Sequence, residues 1–108
     1  MRFQHAWGEL IARLATSQEI PNWSRDSGLL GEPFRAVAAS KAVVIDAPGA
    51  RGLQTVGMDE FREVFDLWPG YLAGAVPRRQ VRDTTRFSKY IISLFHWLEE
   101  ELGASLSS

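Results

Sequence analysis

Two histidines, two groups of carboxylates and one basic run are the residues of this sequence with chemistry to offer. His5 and His96 suit proton transfer near neutral pH or imidazole ligation of a metal. The helical period puts them on different helices. His96 and Glu100, at i and i+4, share one helix face, but a single pair falls well short of a metal site. Surface positions on polar faces are therefore expected for both histidines. Asp59, Glu60, Glu63 and Asp66 form one acidic group, and Glu99, Glu100 and Glu101 the other. Paired carboxylates act as acid and base when burial separates their pKa values. Both groups lie opposite apolar stripes, so solvated faces are expected. APGARG, residues 47 to 52, lacks the Lys-Ser/Thr that follows a phosphate-cradling loop and reads as a hairpin turn. The sequence thus offers no catalytic set, no metal set and no cofactor signature.

The basic run is RRQVRDTTRFSKY, residues 78 to 90. It sits where a short helix, a turn and a longer helix follow one another. As a helix-turn-helix, the second helix would enter the major groove, with Arg86 and Lys89 facing the duplex. Arg78, Arg79 and Arg82 would contact phosphates, a task that suits the guanidinium fork. Against this, the glycine usual in such a turn is missing, and the second helix is heavily apolar. Glu99 to Glu101 would also repel a phosphate backbone. Nucleic-acid binding is therefore the runner-up reading.

Trp68, Tyr71, Tyr90, Phe95 and Trp97 cluster in the C-terminal half. Phe87, Tyr90, Ile91, Leu94, Leu98 and Leu102 form the stripe of the last helix, and Phe95 and Trp97 widen it to an arc of about 160°. An arc that wide must touch more than one neighbour. The neighbours are the sheet and preceding helix, or a second subunit. Aromatic residues are enriched at subunit interfaces, and homodimers are the commonest oligomers. These five aromatics are the candidates for an interface or an inter-subunit pocket.

The elements that must position these residues follow from periodicity. Phe3, Trp7, Leu10, Ile11 and Leu14 mark a helix in residues 1–17. An irregular, turn-rich connection follows, with Trp23 as a plug on the core. Residues 33–56 alternate and are β-branched in AVVID, which predicts a three-stranded antiparallel meander with a tight turn near Ser40 and Lys41. Residues 58–102 are helical. Phe61, Val64, Phe65 and Trp68 line one face, and Gly57 with Glu60 makes a weakened capping box. Pro69-Gly70 is expected to end or bend that helix. Pro77 opens a short helix, Thr84 or Thr85 caps the last one, and Gly103 stops it. Residues 104–108 are expected to fray. The fold class expected is α+β in a single domain of 108 residues.

The chain is 45% hydrophobic with a formal net charge of −1, so neither disorder nor a global electrostatic partner is indicated. It contains no cysteine, which fits a reducing cytoplasm. MRFQHAWGEL does not read as a signal peptide, and no run is long enough to span a bilayer. A cytoplasmic protein without a membrane partner is expected.

The pattern Phe61, Trp68, Tyr71, Gly74, Arg79, Thr85, Arg86, Ser88 and Tyr90 resembles one in short uncharacterised bacterial proteins of the mobile integron gene-cassette type. With FRAVAASKAVVID upstream, the resemblance spans roughly residues 34 to 97. Pro69-Gly70 departs from the unbroken helix of that pattern. The resemblance implies a small oligomeric α+β domain and a role for Thr85, Arg86, Ser88 and Tyr90 in locking the last helix onto the Trp68–Tyr71 helix. It implies no activity. The leading expectation is a non-enzymatic interaction or accessory protein acting as a homo-oligomer. A small-molecule-binding protein with an inter-subunit pocket is a further alternative.

Overall fold

The computed structural model describes residues 1–107. The chain is α+β, with a four-stranded antiparallel sheet and a separate two-stranded hairpin. Helix α1 (Phe3–Arg13) opens it. Strand β1 (Gln18–Ile20) and the hairpin strands β2 (Trp23–Ser24) and β3 (Gly28–Leu29) follow. Strands β4 (Phe34–Ala39), β5 (Ala42–Asp46) and β6 (Gln54–Gly57) form the expected meander. Helices α2 (Met58–Leu72), α3 (Arg78–Thr84) and α4 (Ser88–Leu102) complete the domain.

The meander gains a fourth strand. Gln18–Ile20 pairs with Phe34–Ala36, giving the order β1-β4-β5-β6. Two expectations are corrected here. The first helix ends at Arg13 rather than near Ser17, and the turn-rich connection holds three short strands. Pairing with a formed β4 edge supplies the hydrogen bonds that local sequence does not advertise. Alternation along the strands splits the sheet into two faces. Ile20, Phe34, Ala36, Val43, Ile45 and Val56 are buried on one. Glu19, Arg35, Asp46 and Thr55 are exposed on the other, with Val37 and Val44 half-buried among them. The two-residue turn between β4 and β5 places Ser40 at φ 57°. A positive φ at the first turn position alone is the type II′ arrangement, which favours glycine.

Helix α2 runs without interruption through Pro69 and Gly70 to Leu72. The helix therefore does not end at Pro69. Pro69 is exposed and forfeits one backbone bond, while burial of Trp68 and Tyr71 on the opposite face holds the helix together. Gly70 lies against Val76: a Cβ there would stand 2.6 Å from Val76 Cγ2, so the chain reverses tightly after α2.

Helix α4 is the centre of the molecule. Tyr90, Ile91, Ile92, Ser93, Leu94, Phe95 and Leu98 are all buried. Phe95 meets Phe61, Phe65 and Trp68 edge-on at centroid distances of 5.9, 5.9 and 5.6 Å. Tyr90 meets Phe34 of the sheet at 5.1 Å. Gly103 in the left-handed conformation ends α4 as expected. The expected fraying after it is corrected: Leu106 is buried, and its N–H donates to Glu99 Oε2 at 2.9 Å. Ser108 lies outside the described residues.

Thr85 does not cap α4, whose N-cap is Phe87. Its buried hydroxyl accepts from the Phe87 N–H at 3.1 Å and donates to Glu60 Oε1 at 2.6 Å. The other oxygen of Glu60 accepts from Gly57 N–H at 3.3 Å, the glycine-adapted half of the capping box. One carboxylate therefore ties the start of α2 to the turn before α4. Replacing Thr85 with Val keeps the shape and leaves both partners unsatisfied, which should lower unfolding free energy by about 1–3 kcal/mol. Ser40→Gly should raise it by about 1 kcal/mol through relief of the positive φ. Urea denaturation of the purified variants measures both.

Candidate functional site

The polar strip of α4 carries Lys89, Ser93, His96 and Glu100, at helical spacing on one side. The β2–β3 hairpin lies across its middle. Ser93 is fully buried, accepts from the Trp23 backbone N–H at 3.0 Å and donates back to the Lys89 carbonyl at 3.0 Å. The Trp23 ring stacks on the His96 imidazole with centroids 3.9 Å apart and planes within 1°. Trp23 also approaches Trp68 at 6.3 Å. The expected plug is thus a cover over the one polar side of the central helix.

The hairpin is held at its far end by α2. The Arg25 backbone N–H donates to the Tyr71 hydroxyl at 3.0 Å, and the Arg25 guanidinium lies 5.6 Å from the Tyr71 ring centroid. Asp26 pairs with the same guanidinium at 2.8 Å. Gly74 makes room for this side chain, since a Cβ there would stand 2.7 Å from Arg25 Nη1.

Outside the hairpin, the same side of α4 opens into a groove of about 400 Å³. Pro21, Trp23, Gly28, Leu29, His96, Trp97 and Glu100 line it. His96 reaches Glu100 at 3.6 Å, one turn along α4. His5 pairs with Glu9 at the same 3.6 Å separation on α1 and takes no part in this groove. Among the described residues, no group of three or more histidine or carboxylate side chains is arranged to hold a metal ion.

The aromatic candidates separate. Trp68, Tyr71, Tyr90 and Phe95 are buried inside one chain and offer nothing to a second subunit in this conformation. Within one chain the sheet, α2 and the hairpin cover these four, while Trp97 and Leu102 of the same arc stay half-buried. Trp97 is half-buried and lines the groove.

The basic candidates separate as well. Arg78 is half-buried and donates to the buried Ser88 hydroxyl at 2.9 Å. Burial holds its guanidinium below the usual arginine range; Tyr71 opposes this and Arg82 adds to it. Arg79 and Arg82 are exposed on α3. Arg86 lies over the Phe87 ring at 4.7 Å and shares a cleft with Arg51, Gly52 and Leu53. Lys89 lies over the Tyr90 ring at 5.0 Å and faces a different cleft, beside Glu32. Between Ser88 and Phe95, Lys89 alone of α4 is exposed, so the half of the helix that would enter a DNA groove is packed inside the domain.

Two carboxylates expected to be solvated are structural. Glu60 is bound as described above. Glu99 accepts from Trp68 Nε1 at 3.0 Å and from the Leu106 backbone, joining α2, α4 and the C-terminal turn. Asp59, Glu63, Asp66, Glu100 and Glu101 are exposed, as their helical positions predict. Leu29 went unnoticed in the sequence, and Ser93 was expected in the polar strip of the last helix but is fully buried. The signal for Ser93 was its place in a strip too narrow and too flanked by apolar residues to remain open.

No family model, curated protein or solved structure matches the chain.

Ser93→Ala removes the acceptor for the Trp23 N–H and should loosen the hairpin before it unfolds the domain. Hydrogen exchange should accelerate at Trp23 by about tenfold, equivalent to about 1.4 kcal/mol, with the α2 and α4 amides changing less.

Proposed function

We propose that the protein is a small non-enzymatic interaction module that works as a homo-oligomer. The observation that carries this reading is the groove beside Trp23 and Trp97. There Leu29, the most exposed large apolar side chain among the described residues, stands in solvent at the mouth of an apolar cleft. Exposed apolar surface rimmed by polar groups marks interaction sites. The chemistry-bearing side chains support the same reading, since Glu60, Glu99, Ser88 and Ser93 hold the fold together. A cytoplasmic location belongs to the proposal and is supported by the lack of cysteine.

A second reading rests on the cleft shared by Arg51 and Arg86. Two guanidinium groups at one cleft favour phosphate contact, with exposed Arg79 and Arg82 on α3. Such binding would use the nucleic-acid backbone, with α4 remaining inside the domain.

Light scattering at tens of micromolar should give a mass above the 12.1 kDa of one chain. A strict monomer sinks the homo-oligomer. Fluorescence anisotropy with labelled duplex and single strand at about 50 mM salt tests the second reading, and absence of binding there removes it.

A further inference from the structure

Among the described residues, the large apolar side chains left most exposed are Leu29 at 73% and Leu53 at 68%. They differ in shape and in electrical surroundings. Leu29 forms part of a concave wall with Trp23 and Trp97, and the carboxylate in that lining is Glu100. Glu101 follows it in the last turn of α4, where no basic residue is present. That turn is also the negative end of the helix dipole. The groove is therefore apolar, with the Glu100 carboxylate at its rim beside His96.

Leu53 is the opposite. It projects from the turn that leads into β6, between two clefts. On one flank stand Arg51 and Arg86, both exposed and without a carboxylate at ion-pair distance among the described residues. On the other flank Arg35 lies opposite Asp46 across the β4–β5 ladder, so the charges there balance. Leu53 is thus an apolar knob with a basic collar.

We propose that Leu53 of one copy seats in the Trp23–Leu29–Trp97 groove of another, with Arg51 and Arg86 facing Glu100 and Glu101. This rests on the homo-oligomer reading and names the surfaces that make it. The knob lies beside Arg86 and Phe87 at the start of α4, whereas the groove lies at its C-terminal half. The contact is therefore between two different patches. It closes into a pair only if both copies exchange knobs; otherwise it propagates head to tail. A single leucine with its charged collar is a small interface, so association is weak and salt-sensitive.

Sedimentation equilibrium of the full chain tests this on Leu53→Ser, Leu29→Ser, Arg51→Glu, Glu100→Arg and the double variant Arg51→Glu/Glu100→Arg. Each single substitution should weaken self-association by about tenfold or more. The double variant, with its pair reversed, should return to within about threefold of wild type. All five change exposed side chains, and circular dichroism melts confirm that each variant folds. An associating wild type whose affinity is unchanged in every variant overturns these surfaces while the homo-oligomer stands. A double variant as weak as its two parents overturns the Arg51–Glu100 pairing. A monomeric wild type overturns both readings and leaves the groove to a foreign segment.

Discussion

Enclosure of α4 is the constraint on which the rest of the structure depends. This helix is apolar around most of its circumference, and a domain of this size has one core in which to hide it. The sheet takes the Tyr90 side through Phe34, and α2 takes the Phe95 side through Phe61, Phe65 and Trp68. The remaining polar strip cannot simply face water, because Ser93 sits between buried Ile92 and Leu94. The β2–β3 hairpin closes it by supplying a backbone donor to Ser93 and a tryptophan face to His96. A turn-rich segment with little intrinsic structure thereby becomes the third wall of the core.

Polar groups then register the walls against one another. Thr85 and Glu60 join the turn before α4 to the start of α2, and Arg78 joins α3 to Ser88. Glu99 joins the other end of α4 to Trp68 and to the folded tail. Each is a partly or fully buried hydrogen bond whose loss would strand a partner, so geometry matters more here than the sum of the bonds. The resemblance pattern carries Trp68, Tyr71, Arg79, Thr85, Arg86, Ser88 and Tyr90. Of these, Thr85 ties the turn before α4 to α2 through Glu60, whereas Ser88 is held by Arg78 of α3. Tyr71 adds a clasp on the hairpin through the Arg25 backbone.

Legibility in the sequence followed periodicity. Strands β4 and β5 and helices α1, α2 and α4 were visible from the regular spacing of their apolar residues, and α3 from Pro77 at its start. Strand β1 was not, since Gln18–Ile20 is too short to show a period and is strand only because β4 lies beside it. Pro69 misled because local helix rules price the missing N–H but not the aromatic face opposite it. The tail misled in the same way: Leu106 is one apolar residue among serines, and only the Glu99 carboxylate gives its backbone somewhere to bind.

For function the division is sharper. The residue types and their spacing determined that this chain carries no cysteine chemistry, and that its two histidines fall on separate helices. They also determined that its basic residues concentrate around α3 and the turn after it. Whether a side chain is a surface or a strut was decided only in three dimensions. Trp68, Tyr71, Tyr90 and Phe95 look like an interface in a helical projection and are enclosed by elements distant in sequence. Leu29 looks like an ordinary turn hydrophobic and Leu53 like the start of a strand, and both are left in solvent. Periodicity records which face of an element is apolar, but burial depends on what arrives to cover that face, and long-range packing alone supplies the cover.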